Sequence, residues 1–256
     1  MNQQQLLGLF VVGLAAGGLG ALLGVGGGLI IVPALSLLAG LSLHAAIGTS
    51  LVCICASSAA SAAVYLRRGR VELPVAVELQ FFSVAGAVVA GLTAGFLPAT
   101  PLYFVFAVLL TAVGAQMWPT AKAGWLERRL ALVSARHAVA RGASVGAGLL
   151  SGLLGVGGGI LNTPVLQLVL GMRFERAAAT SSYMIGMTAA AGALVYLIRG
   201  DIRPGLVTAA MVGTLVGAVP AALGGHRLNA RRLRMAFAVL LLFVAYQMIR
   251  RGITEL

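Results

Sequence analysis

The chain has 256 residues, of which 60% are hydrophobic and only 9% charged, with a mean hydropathy of +1.01 and a net charge of +12. A soluble domain is nearer half apolar and a quarter charged, so the composition excludes the ordinary water-soluble enzyme or binding module. In a soluble protein this charge would point to nucleic acid. Here the basic residues form short clusters between apolar runs, the pattern of cytoplasmic loops under the positive-inside rule, and no nucleic-acid partner is expected.

The N-terminus, MNQQQLLGLFVVGLAAGG, lacks the basic region of a signal peptide and runs directly into the first apolar segment, so it reads as mature sequence. That segment covers about 5–23. It ends in LLGVGGGLIIVP, Leu22–Pro33, where Gly24, Gly26, Gly27 and Gly28 interrupt apolar sequence. Segments over about 29–40, 45–66, 74–97 and 101–118 follow. The first of these has only ~11–12 residues before a glycine and would span less than ~20 Å, short of a ~30 Å bilayer core. A broken helix or a re-entrant hairpin is therefore predicted around the glycines. The longest polar stretch, 119–141, reads as a cytoplasmic linker, with Trp118 and Trp125 placed to anchor at the membrane interface. Beyond it lie segments over about 143–154, 160–170, 176–198, 205–224 and 232–249, and the glycine motif returns as LLGVGGGILNTP, Leu153–Pro164, with Gly155, Gly157, Gly158 and Gly159.

The second series is a copy of the first. With residue i set against residue i+131, no gap is needed between Ala16 and Met117, and roughly 40 of about 100 pairs are identical. Pro33 falls on Pro164, Thr49-Ser50 on Thr180-Ser181, Tyr65-Leu66 on Tyr196-Leu197, and Gln116-Met117 on Gln247-Met248. An internal repeat of this size is characteristic of transporter folds. The expected architecture is all-α: a polytopic membrane protein of two homologous repeats, 1–118 and 142–256, each with a glycine-rich broken or re-entrant pair plus three transmembrane helices. Counting Lys and Arg orients the copies. Inverted repeats with loop 67–72 inside place 14 basic residues inside and 4 outside, against 12 and 6 for parallel copies, so inversion is expected, with both termini outside.

The chemistry starts from the glycines. They lack the Lys-Ser/Thr of a phosphate-binding P-loop and the full dinucleotide fingerprint, so no nucleotide cofactor is expected. Four glycines in five residues break a helix. In a bilayer such a break is tolerated only where it is buried in protein or lines a wet cavity. A helix restarting after the break presents free N–H groups and a positive dipole end, which attract anions. Among the acidic residues only Glu78 falls inside an apolar segment, and no Arg or Lys sits mid-span. That suits an anion better than a metal cation, which would want carboxylates. The neutral candidates are Thr49, Ser50, Thr180 and Ser181, which can cap a helix or donate to an anion, and Asn162 and Thr163, which break the symmetry because the first copy has Ile31 and Val32 there. Gln116 and Gln247 serve equally for cross-helix bonding or substrate contact. His44 reads as interfacial. Cys53 and Cys55 point to opposite sides of one helix and read as packing residues. No catalytic triad, carboxylate pair or His cluster is present in the apolar segments, and no enzyme activity is expected.

The doubled G-x-G-G-G motif with its proline, each followed by a Thr-Ser pair, resembles the TauE/SafE, or sulfite exporter, family. The resemblance runs through Gly24–Gly28, Pro33, Thr49 and Ser50, and through Gly155–Gly159, Pro164, Thr180 and Ser181. It implies a multi-pass protein of the cell inner membrane that carries small anions, often sulfur oxyanions or organosulfonates such as sulfite or sulfoacetate, and sometimes carboxylates. The expected partners are the lipid bilayer, the anion, and a proton or sodium ion as candidate coupling ion. The rival reading is a membrane scaffold or assembly protein that transports nothing.

Overall fold

The computed structural model describes residues 3–117, 136–202, 204–224 and 230–254, and the regular structure there is helical. The tryptophans Trp118 and Trp125 and the linker up to residue 135 lie outside the described residues, as does the side chain of Gln116. The helices are α1 (Gln3–Leu23), α2 (Gly28–Leu38), α3 (Leu43–Arg67), α4 (Leu73–Ala94), α5 (Ala99–Met117), α6 (Arg136–Leu154), α7 (Gly159–Pro164), α8 (Phe174–Ile198), α9 (Pro204–Gly224) and α10 (Ala230–Thr254). Among the described residues six stretches are long and apolar enough to cross a membrane: Gln5–Leu23, Leu43–Arg67, Leu73–Ala94, Phe174–Ile198, Val207–Gly224 and Met235–Thr254. The protein is a multi-pass membrane protein.

Each apolar segment expected from the sequence coincides with a helix to within a few residues, except over 160–170, where α7 ends at Pro164, and at the start of α6. That helix begins at Arg136 rather than near 143, so the last residues of the polar stretch are its first turns. Contacts with α4 are made there: Arg141 pairs with Glu78 of α4 at 2.7 Å, and His137 lies 3.3 Å from the same carboxylate. The one acid inside an apolar segment thus anchors a neighbouring helix end.

Helix direction follows from close contacts at glycines. A β-carbon at Gly13 would meet the Ala210 carbonyl, one at Gly217 the Leu14 carbonyl, and one at Gly18 the Ala221 side chain, so α1 and α9 run parallel. Gly86 faces Val145, Gly148 faces Ser83 and Gly152 faces Ala90, so α4 and α6 also run parallel. By contrast Gly48 meets Tyr196, Gly192 meets Leu51 and Gly186 meets Ser58, so α3 and α8 run antiparallel. Helices α5 and α10 do likewise, with Gly114 against Leu242 and Gly252 against Tyr103.

The ends of the bundle differ in charge. Arg68, at the end of α3, donates to the carbonyl of Leu223 at 2.7 Å and that of Ala222 at 3.3 Å, capping α9. Arg176 of α8 pairs with Glu72 beside it. With Arg141 and Arg136 on α6, these residues gather at one end. At the other end Arg199 donates to the Gly91 carbonyl at 3.0 Å and pairs with Asp201 at 3.0 Å, and His44 bonds the Ala94 carbonyl at 3.0 Å.

Candidate functional site

The glycine breaks are built by backbone conformation. Gly24, Gly26 and Gly27 have φ of 66°, 85° and 76°, and Gly155, Gly157 and Gly158 have 68°, 79° and 73°. Side chains with a β-carbon are strained there, which is why the motif is glycine. After Leu23 the chain turns back: Val25 and Gly26 donate to the Gly20 carbonyl at 3.0 and 3.4 Å, and a β-carbon on Gly27 would lie 2.6 Å from the Ala16 carbonyl oxygen. Helix α2 therefore starts beside the middle of α1 instead of continuing it. The second copy repeats the turn, with Gly158 against Ala147. Eleven residues of α2 rise about 17 Å, so the expected broken or re-entrant pair takes the form of a hairpin folded back within the bundle. The helix restarting after the second break is less regular. It is α-helical only through Pro164, then widens into a π-helical turn, Val165–Val169, closed by Leu170 N–H donating to the Val165 carbonyl at 3.2 Å.

The two breaks meet. A β-carbon on Gly28 would collide with the Gly155 carbonyl and lie 2.7 Å from the Cα of Val156; one on Gly159 would collide with the Gly24 carbonyl and lie 2.8 Å from the Cα of Val25. Ile54 and Ile185, which occupy the same place in the two copies, both pack on Gly26 and on Gly157. All ten residues 24–28 and 155–159 are buried. The crossing of the two breaks thus lies between the midpoints of α3 and α8.

Hydroxyls hold the crossing, and they act on carbonyls. Ser50 donates to Gly155 O at 2.9 Å, and Ser181 donates to Gly24 O at 2.8 Å. Thr163 adds a second donor to Gly24 O at 2.9 Å, which Val32 at the matching place cannot supply. Thr180 accepts from the Glu72 amide at 3.1 Å. Thr49 and both polar atoms of Asn162 are buried and have no hydrogen-bond partner among the described residues. Beyond the breaks, Ile30 and Ile31 donate to Gly27 O, and Leu161 and Asn162 to Gly158 O, at 3.1–3.2 Å. The N–H groups of Gly28, Leu29, Gly159 and Ile160 find no acceptor among the described residues, and neither helix start has a side-chain cap. All fourteen candidates named from the sequence lie at the breaks or on α3, α7 and α8 around them. Every described buried polar residue is Ser, Thr or Asn, so the surroundings of the crossing are neutral and dipolar.

Sequence reasoning passed over Ile54 and Ile185, which form the apolar contact at the centre. It matched Tyr65 with Tyr196 but gave them no role; their hydroxyls donate to Ala21 O and Gly152 O, both at 2.9 Å, and tie α3 to α1 and α8 to α6. Identity at the 131-residue offset carried the signal in both cases, because each is a matched identical pair.

A family model described as Sulfite exporter TauE/SafE matches residues 9–248. The probable membrane transporter protein YunE of Bacillus subtilis (strain 168) is 25% identical over 266 residues, covering 96% of this chain and 97% of that protein. The probable membrane transporter protein YdhB of the same organism is 25% identical over 217 residues, covering 83% and 86%. No solved structure matches.

Proposed function

This chain belongs to the sulfite exporter TauE/SafE family of membrane transporters, and from that premise we propose that it is a secondary transporter of small anions, with sulfur oxyanions and organosulfonates such as sulfite and sulfoacetate as its substrate class. It works in the inner membrane by alternating access. The two halves are inverted repeats, and the two glycine hairpins, re-entrant from opposite faces, form the binding region.

The observation that carries this reading is the meeting of the two breaks. Contacts across it are reciprocal: Ser50 reaches the second break as Ser181 reaches the first, and Gly28 abuts Gly155 as Gly159 abuts Gly24. Reciprocal contacts between equivalent residues are the mark of a two-fold relation. The antiparallel run of the equivalent helices α3 and α8 supports an axis across the helices, which in a bilayer means inverted topology. The free N–H groups after each break supply donors for an anion. The absence of charged groups among the described buried residues favours reversible binding, since a buried cation would hold the anion too tightly to release it. Opening requires Ile54 and Ile185 to part from the glycines on one side at a time.

The test is flux in proteoliposomes. Sulfite, sulfoacetate and a short carboxylate are presented in both directions, with and without proton and sodium gradients. Substrate-specific flux of a sulfur anion is expected. Carboxylate flux alone would move the chain to the family's carboxylate carriers. No flux of any anion, together with no anion-dependent thermal stabilisation, would assign it to the scaffold class and end the transporter reading.

A further inference from the structure

The two halves differ in the polarity of their share of the crossing. Asn162, Thr163, Ser182 and Ser58 stand where the other half has Ile31, Val32, Leu51 and Ala189. All four polar residues lie on the side of the crossing toward Arg68 and Arg176: α7 leads from the second break to the start of α8, and Ser58 donates to the Ser182 carbonyl. Gly159, Asn162 and Thr163 share one face of α7, being three and four residues apart. On that face Gly159 abuts Val25 and Thr163 bonds the Gly24 carbonyl. Asn162 is 1% exposed, yet neither its carbonyl nor its NH₂ has a partner among the described residues, and the Ser182 hydroxyl is also unpaired. A buried amide with both ends unsatisfied is costly in an apolar surrounding. The equivalent Ile31 shows that the fold itself does not require it.

We infer that Asn162 is the residue that binds and selects the substrate anion, and that the site lies off the pseudo-two-fold axis, on the arginine-rich side of the first break. The chemistry of the amide defines the ligand further. Its N–H donates to an anionic oxygen and its carbonyl accepts an O–H. With no cation beside it, it favours a monoanion over a dianion. The fitting ligand class is a singly charged oxyanion that retains a hydroxyl proton, such as hydrogensulfite. A monoanion of similar shape with a methyl group in place of the hydroxyl, such as methanesulfonate, leaves the carbonyl unpaired. This inference rests on the transporter reading.

The experiment measures KM for hydrogensulfite and methanesulfonate flux, at a pH where the singly protonated form of sulfite is populated, in wild type, Asn162→Ile and Asn162→Asp. Wild type is expected to prefer hydrogensulfite about tenfold or more, the worth of one buried hydrogen bond to a charged group. Asn162→Ile copies the first half, so it is expected to keep or raise the melting temperature while losing that preference. Asn162→Asp adds a repelling charge of the same shape and is expected to abolish flux of both anions. If wild type transports and either variant keeps its KM values and preference, Asn162 is a packing residue and the inference is overturned while the transporter reading stands. If wild type transports neither these anions nor the others tested above, both fall.

Discussion

Ser50 and Ser181 make the same bond in opposite directions, yet their carbonyls are not equally provided for. Gly155 O depends on Ser50, whereas Gly24 O takes both Ser181 and Thr163. Leaving a buried carbonyl unpaired costs about 1–3 kcal/mol, and losing one of two donors costs less. Ser50→Ala should therefore destabilise the protein by about 1–3 kcal/mol and Ser181→Ala by less. The double variant Ser181→Ala, Thr163→Val should lose more than the sum of its single changes. Thermal unfolding in detergent measures all of these, and equal effects of the two serine changes would contradict the assignment. The hydroxyls themselves were evident in the sequence as matched polar residues in apolar segments. Their partners were not, because each bonds a glycine carbonyl of the other copy, 105 residues away for Ser50 and 157 for Ser181. Local rules offered a helix cap or an anion, and the structure uses the groups to tie the copies together.

Most helices were legible because their apolar runs have the length and composition of a span, and because the matched sequence of the two halves allowed most boundaries to be read twice. The start of α6 was not, since Arg136, His137 and Arg141 look like linker until Glu78 of α4 is placed beside them. Nor was the π-helical turn after Pro164, because the equivalent Pro33 sits in a regular α-helix. Nor were the separate roles of the neighbouring glycines Gly17 and Gly18 of α1, which only the structure distinguishes. A β-carbon on Gly17 would enter the Thr214 carbonyl of α9, while one on Gly18 would make ordinary contacts at 3.5 Å or more. Gly17→Ala should cost about 1–3 kcal/mol through overpacking. Gly18→Ala should be neutral or stabilising by about 0.5–1 kcal/mol, because alanine favours the helix. Melting temperatures of the purified variants distinguish the two. Gly148→Ala, the counterpart of Gly17→Ala, should behave like it, since its β-carbon would enter the Ser83 carbonyl.

Matched positions recur along the whole molecule. All described positive-φ glycines fall into pairs at the 131-residue offset: 24 with 155, 26 with 157, 27 with 158, 40 with 171 and 69 with 200. Basic residues from both halves of the chain meet at one end of the helices. The contacts of Arg68 with α9, of Arg176 with Glu72 and of Arg141 with Glu78 bring those helix ends together. What the sequence could not supply was the meeting of the two breaks, because no residue spacing specifies how one copy docks on the other. Arg70 and Asp201 occupy matched positions after α3 and α8, each donating its amide at 3.0 Å to the carbonyl of Tyr65 or Tyr196. Single cysteines at these positions, on a background with Cys53 and Cys55 replaced by alanine, can be labelled in intact cells and in inside-out vesicles with a membrane-impermeant reagent. Inverted repeats predict that Arg70→Cys is labelled only from the cytoplasmic face and Asp201→Cys only from the opposite face. Labelling of both from the same face would contradict the account.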